Sequence, residues 1–189
     1  MRSSRFEDLL SAAADLLDNA GAAAVTLRDV GSAVGVSHNA PYRHFSNKQD
    51  ILEALIAREI IAMCRIAGEQ KSPATVQTLT LIFAEWALAH PERFRLLIQQ
   101  WPRGEREDLR NAMLRWDEMY IEATEAEQAS GTLPNGDPQR LSYLVRSATL
   151  GSIQHYLAAG GAGVPRPADI IVDLFRYLER DARAERDGL

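Results

Sequence analysis

The segment from Gly35 to Lys48 constrains the fold of this chain more than any other stretch of the sequence. It contains a glycine that can make a tight turn, a serine that can cap a helix, and a short polar stretch with Tyr42, Arg43 and His44. A lysine follows at the start of the next helix. This order predicts two helices joined by a turn, the second of them short and carrying polar side chains.

The residues before and after this segment repeat with helical spacing. Apolar residues at three- and four-residue steps form one face of a first helix, namely Phe6, Leu9, Ala13, Leu16 and Ala20. Gly21 is positioned to end this helix, and Thr26 is positioned to cap the next one together with Asp29. Ser37 is predicted to cap a third helix of about eight residues. A fourth helix, capped by Asn47 or Ser46, begins at Lys48.

Beyond residue 70, prolines indicate where helices begin. Pro73, Pro91, Pro138 and Pro167 each occupy a position where a first helical turn tolerates the missing N–H group. The helices predicted from this spacing span roughly 73–89, 91–100, 105–129, 138–159 and 167–183. No segment alternates with the two-residue period of a strand, so we predict an all-α fold.

The composition excludes several classes of protein. The 189 residues are 46% hydrophobic and 25% charged, which suits an ordinary globular core. No apolar run approaches the ~20 residues of a membrane span, and the N-terminus lacks the apolar region of a signal peptide. The single Cys64 cannot form an internal disulfide, and its apolar surroundings favour a buried side chain. We therefore expect a cytoplasmic protein that does not bind membranes.

The net charge of −5 gives no support for nucleic-acid binding. Residues 1–50 contain five Lys or Arg residues and six Asp or Glu residues. Local placement must therefore carry any such function. Three of the five basic residues, Arg28, Arg43 and Lys48, lie in or beside the predicted helix-turn-helix.

The predicted short helix carries side chains that can read bases. His38 and Asn39 fall on its first turn, where polar groups can hydrogen-bond to base edges, and Asn is suited to adenine. Ala40 can contact a thymine methyl group. The residues placed to contact the sugar–phosphate backbone are Thr26, Arg28, Tyr42, His44 and Lys48, and Arg43 can pair with a phosphate or a guanine. The alternative is a small helical bundle whose polar face is only solvated.

Three stretches, Thr26–Val30, Gly35–Ser37 and Ala40–Lys48, resemble in their order and spacing the DNA-binding domain of the TetR family of transcriptional regulators. By position, the resemblance assigns DNA contacts to Thr26, Arg28, Ser37, His38, Asn39, Ala40, Tyr42, Arg43, His44 and Lys48. Pro41 departs from the family, in which many members have an aliphatic residue there. A proline in the first turn should cost at most one backbone hydrogen bond.

The resemblance also implies an architecture. It predicts an N-terminal three-helix DNA-binding domain with a helix-turn-helix over residues 1–47. A larger helical domain for ligand binding and dimerisation follows over residues 48–189. The implied partners are a double-stranded DNA operator, a small-molecule effector and a second copy of the chain.

Aromatic residues concentrate in the middle helices and suit a small, mostly apolar effector. The predicted ligand-binding residues are Trp86, Phe94, Trp101, Met113, Trp116 and Tyr120, with Gln154 and His155 as polar candidates. A stripe of this kind also forms when a helix packs into an ordinary core, and the sequence leaves both interpretations open. The carboxylates Glu118, Glu122 and Glu125 are predicted to form a solvated helix face.

The last two helices are apolar on more than one side. Leu141 and Val145 mark one stripe of the first, while Tyr143 and Ile153 mark another. A helix buried on two sides needs more partners than a small domain supplies. The resemblance implies a four-helix dimer interface built from these helices, and core packing is the alternative.

No enzyme motif occurs in the chain. There is no Gly-x-Ser-x-Gly, no His-Glu-x-x-His and no phosphate loop after a strand. We therefore expect no catalytic residue, metal or cofactor. The predicted function is a ligand-responsive transcriptional regulator, a repressor that binds a palindromic operator as a homodimer. The alternatives are a helical DNA-binding or adaptor protein without a ligand switch, and an enzyme.

Overall fold

The computed structural model describes residues 4–70, 73–100 and 105–188, and within these ranges the protein contains helices and no strand. The helices are α1 Ser4–Ala24, α2 Leu27–Ala33, α3 Lys48–Gly68, α4 Val76–Ala89, α5 Pro91–Gln100, α6 Glu107–Ala129, α7 Pro138–Ala158 and α8 Pro167–Asp187. A short 3-10 helix, Pro41–Arg43, lies between α2 and α3. The predicted all-α fold is confirmed.

Proline determines where three of the helices begin. Pro91, Pro138 and Pro167 are the first residues of α5, α7 and α8, as their missing N–H groups predicted. The prediction for Pro73 is wrong, because α4 begins at Val76. The Thr75 hydroxyl accepts a hydrogen bond from the N–H of Thr78 at 3.1 Å, and this side-chain cap sets the start of the helix.

The third helix is much shorter than its predicted length. Residues 38–40 form a turn, and only Pro41–Arg43 are helical, with 3-10 geometry. The N–H of Ala40 donates to the carbonyl of Ser37, three residues back, at 2.9 Å. The carbonyl of Pro41 accepts the N–H groups of His44 at 2.9 Å and Phe45 at 3.0 Å, and the helical part comprises this single turn.

The described residues form two compact units. The first comprises those up to residue 62 together with those from 90 to 113, and the second comprises those from 63 to 89 and from 114 onward. In the first unit, α1 packs against α2 and α5. Its core contains fully buried residues of α1, α3 and α5, including Leu9, Leu10, Leu17, Ile51, Leu55 and Phe94.

In the second unit, α4 packs against α7 and α8, which also pack against each other. Four Ser and Thr residues of the described part of this unit are buried, and each donates to a carbonyl of its own helix: Thr80 to Val76, Thr124 to Tyr120, Thr149 to Val145 and Ser142 to Gln139. These buried hydroxyl groups are therefore satisfied locally. No helix in the described ranges is both long and apolar enough to cross a membrane.

Candidate nucleic-acid interface

Thr26 forms the predicted cap at the start of α2. Its hydroxyl oxygen accepts the N–H of Asp29 at 3.1 Å and donates to the Asp29 carboxylate at 2.6 Å. Leu27 and Val30 are buried beneath this turn, whereas Arg28 points its exposed side chain outward. The cap thereby orients the first turn of α2 with Thr26 and Arg28 at the surface.

A close contact holds the two parts of the helix-turn-helix together. Gly35 has a φ of 72°, which makes the turn after α2 accessible to glycine and unfavourable for other residues. At Gly31, in α2, an added Cβ would lie 3.0 Å from the Cγ of Pro41. The missing side chain of Gly31 therefore lets the proline ring pack directly against α2.

Two buried residues anchor the short 3-10 helix and turn the others outward. Pro41 is buried, and so is Phe45, whose ring stacks on Phe6 with centroids 5.1 Å apart. Around these anchors, Ser37, His38, Asn39, Tyr42 and Arg43 are exposed, and Ala40, His44 and Lys48 are half-buried. The predicted reading residues thus share one short stretch of surface, although the helix that carries them is a 3-10 turn.

Lys48 stands at the capped start of α3. The Asn47 side chain accepts the N–H of Asp50 at 2.9 Å, and the Asp50 carboxylate accepts the N–H of Ser46 at 2.7 Å. The Lys48 ammonium donates to the carbonyl of Ala23 at 3.4 Å. These contacts hold a positive charge beside a helix N-terminus, an arrangement that favours an anion such as phosphate.

The basic residues of this surface differ from several arginines elsewhere in the first unit in their pairing with carboxylates. Arg28, Arg43 and Lys48 form no ion pair with any residue that the structure describes. By contrast, Arg58, Arg93 and Arg106 are all paired with carboxylates. Cations that pair with no carboxylate are available to phosphate, so the local charge of this surface supports DNA binding although the net charge of the chain is negative.

A buried carboxylate joins α3 to the start of α6, and the sequence alone did not identify it. Glu53 is only 2% exposed, and its Oε2 accepts the backbone N–H groups of Glu105 and Arg106 at 2.8 and 2.7 Å. Arg106 also pairs with Asp50. The helix that begins with Lys48 therefore also holds the first residues of α6. An acidic residue on an otherwise apolar helix face was the available signal.

The structure distributes the predicted ligand residues over different surroundings. Phe94 and Met113 are buried in the first unit, while Trp116 and Tyr120 are buried in the second. Trp86 is half-buried on α4, and Gln154 and His155 are exposed on α7. Trp101 lies outside the described residues. Trp116 and Tyr120 are in direct contact, with ring centroids 5.5 Å apart.

The buried Tyr120 contacts a hydroxyl group and a guanidinium group. Its hydroxyl lies 3.5 Å from the Thr80 hydroxyl, and the guanidinium of Arg146 lies 5.3 Å from its ring centroid. Arg146 is in turn paired with Asp117 at 2.6 Å. Burial raises the pKa of Tyr120 to about 12, so the phenol is neutral at physiological pH. These contacts are typical of a satisfied core residue and leave its predicted role in ligand binding untested.

The fold and the surface around residues 26–48 define a class, the all-helical proteins with an N-terminal helix-turn-helix. Residues 9–55 match the family described as bacterial regulatory proteins, tetR family. This match covers the N-terminal domain and confirms the resemblance drawn from residues 26–48.

Other known proteins are similar to this chain, one over part of its sequence and others over most of its fold. The nucleoid occlusion factor SlmA of Marinobacter nauticus is 34% identical over 90 residues, which cover 43% of this chain and 46% of that protein. A protein of unknown function from Rhodococcus sp. RHA1 has a similar fold, with a TM-score of 0.77, 26% identity and 95% of each chain covered. SmeT, the repressor of the Stenotrophomonas maltophilia multidrug efflux pump SmeDEF, shares the fold at 21% identity, with a TM-score of 0.65 and coverage of 91% and 88%.

Proposed function

We propose that this protein is a transcriptional repressor that binds an inverted-repeat DNA operator as a homodimer and changes its affinity when a small molecule binds. Residues 1–47 serve as the reading domain, and residues 48–189 bind the effector and dimerise. The DNA-binding part of the proposal rests on three cations, Arg28, Arg43 and Lys48. They belong to the same helix-turn-helix segment as the exposed reading residues, and they pair with none of the described carboxylates.

The roles within the interface follow from position and chemistry. His38, Asn39 and Ala40 face base edges, while Thr26, Ser37, Tyr42 and His44 position the domain on the backbone. The Thr26 hydroxyl already donates to Asp29, so its contact with a phosphate requires that proton to be redirected.

The dimer part is supported by exposed apolar residues on the last two helices. Tyr143 and Leu144 of α7 are 69% and 64% exposed, and Tyr177 of α8 is 70% exposed. Large apolar side chains on two adjacent helices are suited to a self-complementary interface between two copies. A dimer presents two reading domains, which is why the operator is expected to be an inverted repeat.

The ligand part is supported by the fold and by what structural neighbours bind. SmeT has been solved in complex with triclosan, and a regulator from Saccharomonospora viridis in complex with choline. Binding at residues 48–189 can change operator affinity only if the effector binds the DNA-competent and DNA-incompetent states with different affinities. A helical DNA-binding protein without such a switch remains the competing function, and an enzyme is disfavoured by membership of a family of regulators.

Selection from a pool of random DNA duplexes tests the proposal. We expect enrichment of inverted repeats whose half-sites lie about one helical turn apart, roughly 34–36 Å. Replacing Arg28, Arg43 and Lys48 by Gln should abolish enrichment. The control replaces two exposed arginines outside the proposed DNA and dimer surfaces, Arg65 and Arg95, and should leave enrichment intact. Recovery of only asymmetric sites, or of none, would contradict the proposal.

A further inference from the structure

A groove in the second unit lies between the end of α3, the start of α4 and the outer face of α6. Its cavity volume is about 490 Å³, which is within the range of small-molecule pockets. Apolar side chains from α4 and α6 line it, among them Leu79, Met119 and Ala123. Of the aromatic residues predicted from the sequence, none that the structure describes lines this groove. It therefore differs from the ligand site that the sequence suggested.

The charged groups of the groove leave one carboxylate uncompensated. Arg115 lies at the groove and is paired with Glu118 at 3.4 Å and Glu122 at 3.1 Å. Glu127 lines the groove too, and its Oε2 accepts the backbone N–H of Val76 at 2.8 Å. No cation in the described ranges pairs with Glu127. Among the residues that the structure describes, the groove thus combines an apolar wall with a carboxylate that has no cationic partner.

The surroundings of Glu127 disfavour the charged form of its carboxylate. The carboxylate is half-buried, and burial raises its pKa, with a further contribution from the negative charge of Glu179. The N–H of Val76 opposes this shift. A partly buried charge without a counter-ion is stabilised when a cation approaches, whereas an anion would be repelled.

We propose that this groove binds a small amphipathic cation, an amine or quaternary ammonium on an apolar body, with its charge beside Glu127 and its apolar part against Leu79, Met119 and Ala123. The inference rests on the proposed ligand response and names the chemical class of the effector. Arg115 does not select an anion instead, because two glutamates already engage it.

Isothermal titration of the full-length protein with benzyltrimethylammonium tests the inference, with phenylmethanesulfonate as a probe of similar shape and opposite charge. The cation should bind saturably and the sulfonate should not. Glu127→Gln should weaken cation binding by about tenfold, because the amide oxygen still accepts the N–H of Val76 but carries no charge. Glu125→Gln removes the same charge from an exposed position on α6 outside the groove and should bind like the wild type.

A second variant tests the groove by changing the size of a side chain and leaving the charges unchanged. Ala126→Leu places a larger side chain at the groove wall and should weaken cation binding without changing any charge. Circular dichroism and thermal unfolding of each variant verify that the fold is retained. Equal binding by wild type and Glu127→Gln would overturn the inference. So would equally tight sulfonate binding, or no saturable binding of the cation up to about 10 mM.

Operator titrations in the presence of the same cation separate this inference from the proposed function. Weaker operator binding by the wild type, and an unchanged affinity for Glu127→Gln, would support both. Cation binding without any effect on operator affinity would support the groove assignment and contradict the ligand switch. Intact operator binding by a protein that binds no cation would overturn the groove assignment and leave the DNA-binding proposal standing.

Discussion

At the scale of single residues, the candidate interface separates into anchors and open side chains. Pro41 and Phe45 are buried and hold the short 3-10 helix against α2 and α1. Asn39 and Tyr42 are exposed between these anchors, and Lys48 stands half-buried at the next helix start. A rigid backbone with open polar side chains is suited to reading DNA, because the groups that meet bases need no rearrangement.

The division of roles between Lys48 and Asn39 is directly testable. Lys48→Ala should weaken binding to all sequences similarly and reduce the salt slope of binding by about one unit, because one phosphate contact is lost. Asn39→Ala should instead relax preference at one base pair by about 1–3 kcal/mol. Fluorescence anisotropy with operator and scrambled duplexes at several salt concentrations measures both effects. A change of sequence preference in Lys48→Ala, with an unchanged salt slope, would refute the assignment.

At the scale of helices, α3 contributes to two structures at once. Its first residue is Lys48 of the candidate interface, and five residues later Glu53 holds the backbone of Glu105 and Arg106 before α6 begins. Asp50 contributes as well, through its pair with Arg106. The residues just before α6 are therefore in direct contact with α3. A movement of the start of α6 would act on α3, and we expect α3 to transmit an effector signal for this reason.

The contribution of the Glu53 clamp can be measured by unfolding. Glu53→Ala should lower the free energy of unfolding by about 1–3 kcal/mol, because two partly buried N–H groups lose their acceptor. Glu53→Gln should lose less, since an amide oxygen can still accept both hydrogen bonds. Urea denaturation followed by circular dichroism gives the values. Glu125→Ala, at an exposed position of α6, is the control. If Glu53→Ala is as stable as this control, the clamp does not stabilise the fold.

At the scale of the whole molecule, the described surface of one copy leaves large apolar side chains exposed on α7 and α8. Tyr143, Leu144 and Tyr177 are each more than 60% exposed. Exposed apolar groups elsewhere include Leu114 of α6, at 60%. The proposed dimer covers Tyr143, Leu144 and Tyr177 and leaves Leu114 exposed. Substitutions at the first three residues should therefore affect dimerisation, and a substitution at Leu114 should not.

Charged substitutions distinguish these two surfaces. Leu144→Glu combined with Tyr177→Glu should give a monomer, because carboxylates would be buried at the proposed interface without a partner. The same variant should bind the operator weakly, since it presents a single reading domain. Leu114→Glu should remain dimeric and bind the operator normally. Light scattering coupled to size-exclusion chromatography, followed by operator titration, measures both properties. A dimeric double variant would contradict the proposed interface.

Several features were predictable from the sequence because they depend on neighbouring residues alone. Pro91, Pro138 and Pro167 mark helix starts through a property of their own backbone, the missing N–H group. The Thr26 cap and the turn at Gly35 are equally local. The prediction for Pro73 failed because a competing local signal, the Thr75 hydroxyl, starts α4 instead.

The sequence by itself thus determined the helical fold, the order of its elements and the stretch of chain that forms the candidate interface. Only the tertiary structure decided where the side chains of the later helices go. Trp116 and Tyr120 became buried neighbours, and Glu122, which is exposed as predicted, also lines a groove. Glu53 acquired its role from residues more than fifty positions away. Helical periodicity reports which face of a helix is apolar, but it cannot report which other helix will cover that face.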